Sequence, residues 1–278
     1  MSTSIHQTGT VWTTAAAGSS SAGWSDWWAG TRNTELWWTL AWYDVVLRYR
    51  RSVLGPLWLT LSTGTLLLGM GPLYSALFKV PIGTFFPHLT LGIVFWTFFT
   101  ATINDGCTVF INGAQYLKQP GFSPSALVWR SLAKNCLQLA HTIVLYLPVA
   151  IWAGIPPSPR MLLFVPGFVV VLVNLHALTI TLGILCARFR DVVQIVASVL
   201  QLLMFLTPVF WFPSSLPGRS HAILYNPLAQ LLDIVRLPLL GDTPAQGTIR
   251  FLLLFTSINI AIAAAMYRLN RRHLTYWV

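Results

Sequence analysis

LRYRRSVLGPLW, residues 47 to 58, sets three permanent cations, Arg48, Arg50 and Arg51, directly ahead of a long apolar run opened by Gly55 and Pro56. Guanidinium groups keep their charge at any physiological pH and are costly inside hydrocarbon, so they belong at the border of a membrane span. Composition places the whole chain in that setting. Of its 278 residues 55% are hydrophobic and only 9% charged, and mean hydropathy is +0.65. A soluble domain of this length does not read that way.

Crossing a bilayer takes about 20 apolar residues per helix, and the pattern predicts six spans: Leu54 to Phe78, His88 to Phe110, Leu132 to Trp152, Met161 to Leu185, Val192 to Phe212, and Ile249 to Tyr267. The fold class expected is an all-α membrane protein. Residues 1–33, rich in Ser, Thr, Ala and Gly, show neither a basic nor an apolar region of a signal peptide and read as a flexible tail. Residues 34–52 read as an interface helix, and 53–278 as the transmembrane domain.

Sidedness follows from the cations, which are retained in the cytoplasm beside spans. With the N-terminus inside, Arg32, Arg48, Arg50, Arg51, Lys118, Arg130, Lys134, Arg188, Arg190, Arg268, Arg271 and Arg272 lie inside, and only Lys79, Arg160, Arg219, Arg236 and Arg250 outside. Both termini are then cytoplasmic. The net charge of +10 is dispersed among spans, which argues against nucleic-acid binding. Cys107, Cys136 and Cys186 lack the paired spacing of a metal or disulfide site and read as small buried residues.

From Glu35 to Arg51, Trp38, Trp42, Val45, Val46 and Tyr49 recur on one helical side, while Asp44, Arg48 and Arg51 share another, with Asp44 four residues before Arg48. That suits a helix lying in the membrane interface. Two readings of its arginines stand: topology alone, or pairing with the phosphate of a lipid, bulk or substrate, which guanidinium groups bind bidentately.

RYRRSVLGPLW resembles the start of the first span in permease subunits of ABC-2 type polysaccharide exporters, the family that moves capsule, O-antigen or teichoic acid across the inner membrane. NGAQYLKQPGFSP (112–124), ARFRDVVQIVASVLQLLMFLTPVFW (187–211) and YNPLAQLLDIVRLPLLG (225–241) resemble later segments of the same family, in the same order. The resemblance implies a homodimer worked by two copies of a separate ABC ATPase, and a lipid-linked polysaccharide as cargo. The chain has no G-x-x-x-x-G-K-[ST] loop, so it holds no cofactor of its own, and ATP and Mg would be bound by the partner.

Under that resemblance Arg48, Arg50 and Arg51 guide the lipid phosphate. Asn112, Gln115, Tyr116, Leu117 and Lys118 form a helical turn, stopped by Pro120 and Gly121, that docks the ATPase; the plain alternative is a connecting loop. Arg188, Arg190 and Asp191 fill a tight turn that contacts the partner, or in which Asp191 caps the next helix. Asn226 and Pro227 start a helix whose Leu228, Leu231, Leu232 and Val235 share a face before Pro238 and Gly241 end it. At about half the hydrocarbon thickness it is re-entrant, an outer gate, or it lies flat in the interface.

Aromatic rings suit the apolar faces of sugars. Trp58, Tyr74, Phe95, Trp96, Phe98, Phe99, Phe210, Trp211 and Phe212 are the candidates for a translocation path, with Thr207 and Pro208 expected to kink the fifth span. Asp105, His141 and His176 are the ionisable groups within spans; Asp105 pairing with Arg130 or Lys134 and the histidines bonding between helices are the plain alternatives to proton transfer. Without a carboxylate pair or metal cluster, a lipid-sugar transferase is disfavoured. An ABC-2 exporter of a small lipid or drug, and a proton-driven secondary transporter, remain as alternatives.

Overall fold

A computed structural model describes residues 21–50, 54–55, 57–212 and 225–278, and among these it contains helices and turns but no strand. In chain order the helices are α1 (Ser21–Arg32), α2 (Thr34–Tyr49), α3 (Leu57–Phe78), α4 (Ile82–Asn112), α5 (Ala114–Leu117), α6 (Pro124–Thr142), α7 (Tyr146–Trp152), α8 (Phe164–Arg188), α9 (Val192–Leu206), α10 (Pro227–Leu239), α11 (Gln246–Asn270) and α12 (Leu274–Trp277). Among the described residues, five runs are long and apolar enough to cross a bilayer: α3, α4, Pro124–Trp152, Pro159–Arg188 and α11.

Two of those runs change gauge where proline demands it. Ile143–Leu145 tighten into a 3₁₀ turn between α6 and α7, just ahead of Pro148, whose missing N–H and bulky ring disturb the preceding turn. Pro159–Leu163 form a second 3₁₀ turn before α8, started by Ser158, whose hydroxyl accepts from the Arg160 N–H at 3.3 Å.

The expected fifth span is the exception. Its helix, α9, holds only 15 residues, about 22 Å at 1.5 Å per residue against about 30 Å of hydrocarbon. The expected kink at Thr207 and Pro208 is a full stop, because a residue before proline is driven out of the helical region and Thr207 is extended (φ −94°, ψ 136°). The chain then continues non-helically along α4. Val209 lies against Gly92, and the Phe212 ring stacks on His88 with centroids 4.0 Å apart.

Residues 21–32, expected within a flexible tail, form α1. Its Gly30 rests on Ser123 and Ser125 at the start of α6, and the Ser125 hydroxyl donates to the Trp27 carbonyl at 3.0 Å.

The core is built around α4. Phe85, Leu89, Phe95, Phe99, Cys107 and Phe110 along it are completely buried, with α3, α6, α8 and α9 packed round them. Small residues set the closest approach, as expected where lipid tails compete equally for apolar side chains. A Cβ on Gly183 of α8 would sit 3.0 Å from the Gly106 carbonyl oxygen and 2.8 Å from Val109 Cγ1 on α4. Between α8 and α11 the contact is polar. Asn174 donates to Thr256 Oγ1 at 2.7 Å, and Asn259 donates to the Asn174 carbonyl and side-chain oxygens at 3.0 and 3.1 Å.

The bundle has two chemically different ends. One gathers α2, the turn after α4, the turn after α8 and α12, with most of the described cations; the other gathers the turns at 79–81 and 153–158 and the helix α10. Replacing Gly183 by Leu should cost about 1–3 kcal/mol of stability, since the backbones cannot separate without losing the packing of α4 on α8. Gly69→Ala on α3, where nothing lies within 4 Å, should change it little. Thermal unfolding in detergent compares them.

Candidate functional site

The basic end is organised by charge pairs between helices far apart in sequence. Arg130 on α6 grips Asp44 on α2 through both guanidinium arms, Nε to Oδ2 at 2.7 Å and Nη2 to Oδ1 at 2.6 Å. The helical spacing had paired Asp44 with Arg48. The fold turns Asp44 toward α6 instead, along with Ala41 and Val45, the two buried positions of α2. A bidentate fork outcompetes a single-turn pair. Trp38, Trp42 and Val46 stay exposed on the far side, while Trp37 stacks on Trp129.

Asp105 on α4 bonds Lys134 Nζ at 2.7 Å and accepts from Asn135 Nδ2 at 2.8 Å. Of the two partners foreseen for it, Lys134 is the one used. Between these pairs lies a cavity of about 260 Å³ lined by Asp44, Arg48, Asp105, Asn112, Arg130 and Lys134, among others. The carboxylates each neutralise one of its cations, but Arg48 is exposed and has no ion-pair partner among the described residues. Arg50 is exposed as well. Arg51 lies outside the described residues.

Directly below, α4 ends at Asn112, whose amide donates to Thr108 Oγ1 at 3.1 Å, and α5 follows as a single turn. Gln115 and Lys118 point outward. Leu117 is buried in a cluster with Phe110, Leu127, Tyr267 and Leu274. The Tyr116 ring lies under the Arg130 guanidinium at 5.2 Å and beside Phe122 at 5.6 Å. The turn closes through Gly121 at φ +80°, a conformation that favours glycine. The exposed turn is thereby anchored to α6, α12 and the charge pairs.

Arg188 lies over the rings of Phe189 and Trp277, at 5.3 and 5.4 Å, and Arg190 donates to the Trp277 carbonyl at 3.3 Å. Asp191 does not cap α9. It is already helical (φ −66°, ψ −23°), its side chain makes no capping bond, and the extended residue is Phe189.

At the opposite end, Asn226 caps α10 as its position before Pro227 implies, accepting from the N–H groups of Leu228 (3.0 Å) and Ala229 (3.3 Å). Leu228, Leu231, Leu232 and Val235 are all buried. What the sequence reading missed is what holds this helix in place. Arg236, counted there only as an outside cation, is 2% exposed. Its guanidinium donates to the Pro208 carbonyl (2.6 Å) and Asp233 (2.5 Å), and meets His88 Nε2 at 3.1 Å. Asn226 also donates to Thr207 Oγ1 at 2.9 Å. One network thus ties α10 to α4 and to the break after α9. The one signal in the sequence was Asp233 three residues before Arg236.

The aromatic candidates divide. Phe95, Trp96, Phe98 and Phe99 lie in the core of the chain, packed in part on Phe164 and Phe168 of α8. Trp58 is exposed near the start of α3. Tyr74, Phe78 and Phe210 form a ring cluster at the α10 end, where Trp211 is buried and Phe212 covers His88. His141 bonds the carbonyl of Leu137 in its own helix, and His176 makes no hydrogen bond among the described residues.

Residues 35–240 match the family model described as ABC-2 type transporter. The chain is 28% identical over 196 residues to the O-antigen export system permease protein RfbA of Myxococcus xanthus, a match covering 68% of this chain and 74% of that protein. The family match, residues 35–240, spans the charge pairs, the turn after α4 and all of α10.

Two outcomes follow. Asp44→Ala and Arg130→Ala should each loosen α2, and the double variant should cost about 1 kcal/mol less than their sum, a coupling read by a double-mutant cycle of detergent unfolding. Arg236→Ala should cost about 3–5 kcal/mol by stranding Asp233, whereas Arg236→Leu with Asp233→Leu should recover a large part of it.

Proposed function

Because the chain belongs to the ABC-2 type transporter family, whose membrane domain is the transmembrane component of an ATP-driven transporter, we propose that it exports a lipid-linked polysaccharide across a bacterial inner membrane. Two copies form the conduit and two copies of a separate ABC ATPase drive it. The basic end faces the cytoplasm, which retains cations beside spans, and α9 with residues 207–212 makes the sixth crossing.

The observation that carries this reading is the polar cavity at the basic end, with Arg48 at its rim lacking an ion-pair partner among the described residues and two further cations in its wall. Paired Arg130 and Lys134 give it shape. Arg48 supplies the uncompensated charge that a phosphate of a lipid carrier requires. The named activity of the Myxococcus protein, O-antigen export, supports a polysaccharide on that carrier.

The turn Asn112–Lys118 is the coupling handle, with Gln115 and Lys118 presented to the ATPase and Tyr116 and Leu117 transmitting its position to α6 and α12. Arg188, Arg190 and Asp191 flank it on the same end. At the outer end α10 closes the exit, held by Arg236, and the rings of Tyr74, Phe210 and Phe212 border it. A proton-driven mechanism fits less well, since Asp105 is committed to Lys134 and Asn135.

Reconstituted with its ATPase, the chain should move lipid-linked polysaccharide only while ATP is hydrolysed. Arg48→Glu should lower that rate about tenfold or more, leaving ATPase copurification intact. Changing Gln115 and Lys118 to Ala should weaken copurification instead. Export without an ATPase would overturn the proposal, and equal transport of the bare lipid carrier would favour a small-lipid exporter.

A further inference from the structure

A second cavity, about 550 Å³ and larger than the charged one, opens between α1, α6, α8 and α11. Its walls are apolar and aromatic, with Trp27 and Trp28 from α1, Trp129 from α6 and Ala264 from α11. Val169, Val173 and Ile260 line it from exposed faces of spans, so its mouth opens sideways into the bilayer. Whatever enters comes from the membrane.

Two polar groups mark its depth. Arg268, in the last turn of α11 at the basic end, is exposed at the rim without an ion-pair partner among the described residues. His176 lies deeper, its ring against Trp129 at 4.3 Å and Trp27 at 5.2 Å. Both of its nitrogens are buried with no hydrogen-bond partner among the described residues. The Asn174–Asn259 bonds set α8 and α11 in register. Counting from that level, Arg268 lies seven residues further toward the basic end than His176, about 10 Å of helix. A headgroup layer is about 5–8 Å thick. A lipid phosphate at Arg268 therefore places the glycerol esters and the first acyl carbons against the ring wall.

We infer that this cleft binds an anionic glycerophospholipid from the leaflet at the basic end, its phosphate on Arg268 and an acyl chain between α8 and α11. The cleft is separate from the charged cavity beside Arg48. Trp27 and Trp28 precede the matched stretch 35–240, so this part of the wall stands outside the family domain. The site does not depend on what the protein exports.

The test uses the full chain purified in mild detergent and exposed to dioleoyl phosphatidylglycerol or dioleoyl phosphatidylcholine, with retained lipid read by native mass spectrometry. Phosphatidylglycerol should be retained through washing and phosphatidylcholine much less. Ala264→Phe, which fills the cleft, should lower retention of phosphatidylglycerol about tenfold, equivalent to about 1.4 kcal/mol. Arg268→Gln, at an exposed position that leaves folding undisturbed, should erase the preference between the two lipids. Should Ala264→Phe fail to fold, Arg268→Gln decides alone. Equal retention of both lipids by the unaltered chain, an undiminished preference in Arg268→Gln, or a cleft holding detergent only, would overturn the assignment.

Discussion

Hydrocarbon offers no water to an ionised group, so a charged side chain must find a partner within the protein or reach an end of the bundle. That constraint organises this chain. Asp105 meets Lys134 and Asn135, Asp44 meets Arg130, and Arg236 meets Asp233, His88 and a backbone carbonyl. Each pair joins elements distant in sequence or pins a helix to its neighbours. Because one partner without the other is a charge partly cut off from water, the two inter-helix pairs, Asp44–Arg130 and Asp105–Lys134, also specify which helices sit together.

The long spans were legible because their signal is additive: a score or more of apolar residues needs no tertiary information. Asn226 ahead of Pro227 was legible for a local reason, since a cap and its helix are neighbours. The misreadings share one cause. Arg48 lies one helical turn from Asp44, but Arg130, 86 residues away, holds it. Arg236 looked like an outer-loop cation because its acceptors, apart from Asp233, come from α4 and the break after α9. Local pattern reports local partners, and these partners are not local.

α9 teaches the same lesson about backbone. Its composition reads as one span through Phe212, and Pro208 reads as a kink within it. A kink keeps the helix going only if neighbours satisfy the freed groups in helical geometry. Here the ladder stops instead: the Phe205 carbonyl, left over by the break, accepts from Trp211 Nε1 at 3.3 Å, and the residues of the break itself accept from α10, the Pro208 carbonyl from Arg236 and the Thr207 hydroxyl from Asn226. The helix ends because α10 offers better partners than another turn would. The break and the buried arginine are two halves of one feature.

α4 connects the two ends. Its first turns carry Phe85 and His88, under Phe212 and Arg236; its last carry Asp105 and Asn112, at the charged cavity and the exposed turn. Buried along most of its length and held to α8 by glycine contacts, it has little room to bend. Packed interiors switch between arrangements rather than deform smoothly. A force applied at the Asn112 turn is thus delivered along a stiff column to its far end. What it meets there is a non-helical segment held by hydrogen bonds to α10, the part of that end with discrete bonds to exchange. Under the proposed export function, this places the step that opens the exit at the Arg236 network rather than in the apolar core.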